Sequence, residues 1–319
     1  MKLSIVIVTR NTRDMLLECL NSFSDCVKSG LYDVVVVDNA SCDGTSDALK
    51  SSYPQVKQVR FDINTGFSRA SNAGASLAEG DILLFLNSDT IATETNIDIL
   101  LSTFENNPQL GIVSPRLIGI DGKEQPAAAY LPTFATEISA RAKKRAHSKL
   151  ETAIDHKESL ADIAYLCGAA LLIRKKAFDE AGGFDERFFF YFEDADICRR
   201  IVSNGWEIQL VEDSSIIHLG GGSTRKISVG STVEMIRNRF QYIGKNYGRS
   251  KAHLVASLDL AKRLRRFLIS FVGVLLTFGL SAGLRQKAWV HARVCLWFLL
   301  GMLSRETPLY KRLVCDWYR

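Results

Sequence analysis

Over its first 115 residues the chain alternates short apolar runs with amphipathic segments, the βαβα rhythm of a parallel sheet covered by helices. Leu3–Thr9, Tyr32–Val37, Val56–Phe61, Asp81–Leu86 and Gly111–Pro115 read as strands. The second is a continuous β-branched run, the pattern of a strand buried on both faces. Between them, helices are predicted from an Asn11 cap to Phe23 with Asp14 at the capping-box position, over Ser46–Ser52, over the small-residue segment Ser68–Ala78, and over Thr95–Glu105. Residues 137–160 change character: they are charged and helix-prone, with Arg141, Lys143, Lys144 and Arg145 clustered, and read as an exposed insertion with a solvated face. A buried run (Ala161–Ile173), a helix (Lys175–Ala181) stopped at Gly182-Gly183, a helix (Asp194–Asn204), a strand (Trp206–Val211) and a short strand into His218 follow. Gly220–Thr224 reads as a flexible loop, and everything beyond it as helical.

Charge divides the chain at that loop. Residues 1–224 carry a net −9 and residues 225–319 a net +14, within an overall +5. This pattern predicts an acidic, cation-using body at 1–225 and a basic helical region at 226–319 that attaches to something anionic. The basic region contains an uncharged run of 18 residues, Phe267–Leu284, flanked by Arg263, Arg265 and Arg266 before and by Arg285 and Lys287 after. Such a run fits a short membrane span, a helix lying in the interface, or a buried helix hairpin. Its cations flank apolar residues and do not interleave with exposed aromatics, so nucleic acid is not the expected partner. Seven scattered cysteines without a CxxC argue against a disulfide framework or a zinc site and suit a reducing compartment. Met1–Arg10 is too short and too soon charged for a signal peptide.

Polar groups collect where strands end, the edge at which open parallel sheets bind ligands. They are Thr9 with Asn11, Asp38 with Asn39, the Asn64–Asn72 segment, and Asn87-Ser88-Asp89. No Gly-x-Gly-x-x-Gly and no Gly-Lys-Ser/Thr follows the first strand, which removes support for hydride transfer and for P-loop chemistry. Asn87 and Asp89 point the same way on extended chain, as a hard divalent ion shared with a diphosphate requires. Further on, five aromatics (Phe188 to Phe192) run into Glu193, Asp194 and Asp196. This run reads either as a helix start, with Arg199 and Arg200 placed to pair with Asp196, or as a desolvated reaction centre.

Taken in order, Asp38 after its valine strand, Asn64-Thr65-Gly66-Phe67-Ser68-Arg69-Ala70-Ser71-Asn72, Asn87-Ser88-Asp89 and Phe192-Glu193-Asp194-Ala195-Asp196 resemble family 2 glycosyltransferases of the GT-A fold, in particular the rhamnosyltransferase-like branch. The resemblance implies a Rossmann-like α/β fold with a mixed, mainly parallel sheet over 1–225. It implies donor contacts from Thr9, Asn11, Asp38, Asn64, Gly66, Phe67, Arg69, Asn72 and Asn87. Asn87-Ser88-Asp89 stands where the family has Asp-x-Asp, so Mg2+ or Mn2+ ligation would rest on Asp89, with His218 as a further ligand. Asp194 aligns with the catalytic base, and Phe190, Tyr191, Glu193 and Trp206 are expected on the acceptor side.

The expected reaction is inverting transfer of a sugar, rhamnose first, from a dTDP- or UDP-sugar to a lipid-linked or polysaccharide acceptor. It is placed at the cytoplasmic face of the plasma membrane, with the C-terminal region as the membrane attachment. The alternatives are a non-catalytic sugar-nucleotide-binding subunit of a glycan-assembly complex, and a nucleotidyltransferase, which would show a glycine-rich basic loop after the first strand.

Overall fold

The computed structural model of the chain describes residues 1–156, 159–220 and 229–300. The chain divides into two compact units, one holding Met1–Pro132 and the chain from Arg141 to the loop at Gly220, the other holding Thr133–Ala140 and the C-terminal region.

In the first unit the elements follow in order: β1 (Leu3–Thr9), α1 (Arg13–Asn21), α2 (Ser24–Lys28), β2 (Asp33–Asn39), α3 (Thr45–Ser52), β3 (Lys57–Phe61), α4 (Phe67–Leu77), β4 (Ile82–Asn87), β5 (Thr90–Ile91), α5 (Glu94–Asn106), β6 (Leu110–Ile118), β7 (Glu124–Gln125) and β8 (Ala128–Tyr130). After α6 (Phe134–Ile138), which belongs to the second unit, come α7 (Ala140–Asp155), β9 (Ala164–Leu166), β10 (Ala170–Arg174), α8 (Lys175–Glu180), α9 (Glu193–Ser203) and β11 (Glu207–His218). Nine strands form one sheet in the order β3-β2-β1-β4-β10-β6-β11-β5, with β7 paired to β6. The strands β1 to β4, β6 and β11 run parallel, while β10, β5 and β7 oppose them. The small β8–β9 pair stands apart.

The continuous apolar strands follow from burial on both sides. Leu3, Ile5 and Ile7 pack with α1, α3 and α5 in one cluster, while Val6, Leu83 and Phe85 pack with α4, α8 and α9 in the other. The small-residue character of α4 has a specific cause: a Cβ at Gly74 would overlap Val6, so only glycine lets α4 approach β1 this closely. The charged segment at 140–155 is a regular helix whose Leu150 and Ala153 are buried, with its basic residues exposed. The two strands read at 206–218 are one twelve-residue strand with an irregularity between Val211 and Ser215. Asn11 does not cap α1. It sits at φ +53° and accepts from the Cys42 N–H, while Asp43 accepts the Arg13 N–H at the helix start.

The second unit adds α10 (Val229–Tyr247), α11 (Arg249–Leu276) and α12 (Ala282–Leu299). Val229, Val233 and Ile236 of α10 pack with Val290, Val294 and Trp297 of α12. Arg239 ties α10 to both Glu137 (3.3 Å) and Asp259 (2.9 Å). Among the described residues no helix is long and apolar enough to cross a membrane, so the span among the three readings of Phe267–Leu284 finds no support. The glycine-rich loop read after His218 lies, beyond Gly220, outside the described residues.

Candidate active site

Register fixes which residues share the carboxyl edge of the sheet. Thr9 of β1 lies beside Asp38 of β2, and Val8 beside Asn87 of β4. The Thr9 and Thr12 hydroxyls are 2.8 Å apart and those of Thr12 and Ser88 2.9 Å, a buried chain that pins the start of α1 to the end of β4. Asp38 is fully buried, and its carboxylate accepts the Ser41 N–H (2.8 Å) and the Ser46 hydroxyl (2.6 Å). It therefore holds the β2–α3 turn in shape. Asn39, next to Asp38 at the end of β2, organises the next segment: its amide donates to Asn64 Oδ1 and the Gly66 carbonyl and accepts the Thr65 N–H (2.8 Å).

Residues 64–72 are stitched to the aromatic run. The Phe67 N–H donates to the Phe189 carbonyl (2.7 Å), the Ser68 hydroxyl to the Phe188 carbonyl (2.6 Å), and Asn72 bonds both the N–H and the C=O of Phe184. Gly66, at φ +86°, is required here because a Cβ would lie 2.6 Å from the Phe189 carbonyl oxygen. The Phe67 ring packs edge-on to Phe184 and Phe190. Arg69 is exposed, its guanidinium 4.0 Å from Glu186.

Two consecutive residues, Tyr191 (φ +79°) and Phe192 (φ +71°), occupy the left-handed region directly before α9. Non-glycine residues there cost of order 1–3 kcal/mol each, and such strain collects at functional sites. The turn delivers Glu193 and Asp194 to the first turn of α9. Asp194 Oδ1 accepts the Ala195 N–H (2.8 Å) and Oδ2 the Gly168 N–H (3.4 Å). Gly168 adjoins Ala169, whose carbonyl accepts the Asn87 N–H (3.0 Å), so one short segment brings Asp194 to the end of β4. Burial pushes the Asp194 carboxyl up to about 6, against the pull of those N–H groups. Glu193 is raised well above the ordinary carboxyl range by burial and then by the Asp194 charge, and its Oε2 is buried with no hydrogen-bond partner among the described residues. Asp196 takes the structural role instead: its carboxylate meets Arg200 Nε at 2.7 Å, and Arg200 reaches on to the Gly183 carbonyl (2.6 Å).

A second acidic point forms at β5. Its pairing with the end of β11 sets His218 opposite Thr90 and leaves His218 Nε2 3.5 Å from Asp89 Oδ1. The other ring nitrogen, Nδ1, is 2.8 Å from Gln125 Oε1. Since that amide oxygen only accepts, Nδ1 donates to it, and Nε2 is the ring nitrogen that faces Asp89. The Asp89–His218 pair thus suits a hard divalent ion that takes its remaining ligands from phosphate and water, and no cluster of three or more ligating side chains occurs among the described residues. Gln125, on a two-residue strand, carried no signal in the sequence.

Trp206 does not join this edge. It precedes β11 at the amino end, where Glu207 pairs with Leu110; its indole donates to Glu180 (2.8 Å) and stacks near Arg174. Closeness in sequence to α9 said nothing about which end of the sheet it occupies.

The comparisons with known proteins agree with this architecture. The model described as Glycosyl transferase family 2 matches residues 4–182, more than half of the chain, and one described as the N-terminal domain of galactosyltransferase matches 148–220. The chain belongs to glycosyl transferase family 2. It is similar to the N-acetylglucosaminyl-diphospho-decaprenol L-rhamnosyltransferase of Mycobacterium tuberculosis, 29% identical over 214 residues (60% of this chain, 67% of the relative). The poly(ribitol-phosphate) beta-glucosyltransferase of Bacillus spizizenii is 30% identical over 138 residues (42% of this chain, 22% of the relative). Among solved structures, the mannosyltransferase PcManGT from Pyrobaculum calidifontis in complex with GDP-Man and Mn2+ aligns with a TM-score of 0.53 at 14% identity (96% of this chain, 88% of that one). S. aureus TarS 1-349 in complex with UDP-GlcNAc aligns at 0.51 and 17% identity (93% of this chain, 81% of that one). At these identities the structures establish the shared fold.

Proposed function

We propose that this glycosyltransferase moves a sugar, rhamnose first, from a dTDP- or UDP-sugar to a lipid-linked or polysaccharide acceptor with inversion at the anomeric carbon. The observation that carries this reading is Asp194: a desolvated carboxylate on a strained helix start, tied through Gly168–Ala169 to the strand end that bears Asn87 and Asp89. The acceptor hydroxyl gives its proton to Asp194 as its oxygen bonds to the anomeric carbon; the bond from that carbon to the diphosphate breaks on the opposite side. A single base acting in one displacement inverts the centre. Asp89 and His218 would hold Mg2+ or Mn2+, which when bound neutralises charge on the diphosphate. Thr9, Asn11, Asp38, Asn64, Gly66, Phe67, Arg69, Asn72 and Asn87 build the donor side, several of them as framework more than as contacts. Phe190, Tyr191 and Glu193 form the acceptor side, with the Glu193 carboxyl raised by burial and by the neighbouring Asp194 charge.

We place the catalytic unit at 1–225 and the membrane attachment at 226–319, at the cytoplasmic face of the plasma membrane. The likeness to a rhamnosyltransferase that carries a prenyl-diphosphate acceptor in its name supports this placement. A panel of nucleotide-sugars in Mn2+, followed by thermal shift, tests the donor class. A bound donor at a hundred times its dissociation constant is expected to add about 2.7 kcal/mol of stability. No shift with any donor would remove the reading.

The raised Asp194 pKa sets a pH dependence. The base must be ionised to accept a proton, so the transfer rate is expected to fall below a midpoint of about 6, approaching tenfold per pH unit, where an ordinary aspartate would hold activity to about 4. A pH–rate profile at saturating donor checks this.

A further inference from the structure

The hairpin of α11 and α12 carries an apolar surface that nothing among the described residues of its unit covers. Leu268, Phe271, Val272, Leu275 and Leu276 follow the i, i+3, i+4, i+7, i+8 spacing that normally faces a core, yet all are exposed, Leu276 at 76%. The opposite side of the helix is the packed one: Gly273 meets Leu284 of α12 and Ser270 is buried. At the turn, α11 ends in a Schellman arrangement, with the Gly279 N–H on the Val274 carbonyl (2.8 Å) and the Phe278 N–H on that of Leu275 (3.0 Å). The left-handed position in this motif belongs by preference to glycine, but here it is Phe278 (φ +46°), with a ring 92% exposed; Leu280 follows at 83%. A strained aromatic held in solvent breaks two local rules at one residue.

Charge states what covers this face. From Leu260 to Leu300 there is no acidic residue, while Arg263, Arg265 and Arg266 stand before the apolar stretch and Arg285 and Lys287 after it. Cations at both ends keep both ends at headgroup level. The ten residues from Phe267 to Leu276 rise only about 15 Å, half of a bilayer's hydrocarbon thickness of about 30 Å. We propose that the second half of α11 and the turn at 277–281 form a one-leaflet anchor, lying in the interface of an anionic lipid surface at a depth of about 5–10 Å. This rests on the reading of the C-terminal region as the membrane attachment and names the residues that insert.

The test uses the full-length protein and vesicles of phosphatidylcholine with and without phosphatidylglycerol. The parent protein is expected to sediment with the anionic vesicles, less so at high salt. A Leu275→Glu, Leu276→Glu, Phe278→Glu variant is expected to bind at least roughly tenfold more weakly, with unchanged nucleoside diphosphate release from donor in solution. Phe278→Gly suits the left-handed backbone, so it is expected to keep or raise the melting temperature while weakening vesicle binding; a lower melting temperature would mark Phe278 as a packing residue. In Phe278→Trp, emission is expected to shift to the blue and to be quenched by lipids brominated near the glycerol end more than by those brominated at the chain terminus. Equal binding of parent and triple variant would overturn the anchor alone. Failure of the parent to bind any vesicle would overturn the membrane reading with it. A dimer in solution that the triple variant dissociates, without vesicle binding, would assign the face to a second copy of the chain.

Discussion

Asp194→Asn is expected to fold, to melt higher than the parent near neutral pH, and to transfer sugar at least roughly a hundredfold more slowly. The two effects share one cause. Burial raises the carboxyl to about 6 from an unfolded value near 4, so the native state binds the proton more tightly than the unfolded chain. Stability tied to this group is therefore full below about pH 4, declines as pH rises to about 6, and stays reduced above it. Asparagine carries no charge to desolvate, so the variant avoids this penalty, roughly 1–3 kcal/mol, where the enzyme works, and this outweighs the long Gly168 N–H bond (3.4 Å) that its amide nitrogen cannot accept. Its amide also cannot take the acceptor's proton. Asp196→Asn serves as the contrast. That carboxylate is paired with Arg200, which holds the turn at Gly183, so its loss is expected to lower the melting temperature.

Asp89→Ala is expected to cost of order a hundredfold to a thousandfold in transfer, the scale of losing one placed electrostatic stabiliser. Asp89 and His218 are half-buried partners and not core residues, so the fold should survive. Mn2+ affinity in the presence of UDP, read from the electron paramagnetic resonance signal of free Mn2+, is expected to fall by at least roughly tenfold. Unchanged Mn2+ affinity together with retained turnover would remove Asp89 from the metal assignment.

The sheet was legible because burial on both faces writes itself as unbroken apolar runs; β1, β2 and β4 were placed within a residue or two. The polar strand ends were legible for the same reason, since a run that stops at Asp38 or Asn87 marks an edge. What sequence could not show is pairing across distance. The antiparallel insertion of β10 between β4 and β6 places Gly168 against Asp194, and the β5–β11 pairing places His218 against Asp89. Gln125 and Asn39 act through side-chain hydrogen bonds to residues distant in sequence, which leave no periodic trace. Trp206, which the resemblance placed on the acceptor side, lies at the amino end of β11, a position that depends on the pairing of β11 with β6. The 18-residue apolar run was seen, but its break at Phe278 was not, because a phenylalanine in the left-handed region contradicts its own propensity.

The most direct measurement compares release of nucleoside diphosphate from dTDP- and UDP-sugars by the parent and by Asp194→Asn, with Mn2+ and a prenyl-diphosphate sugar acceptor near neutral pH. The expected result is acceptor-dependent release by the parent, at least roughly a hundredfold slower in the folded variant, with donor affinity unchanged. Equal rates from the two proteins would contradict the assignment of Asp194 as the base.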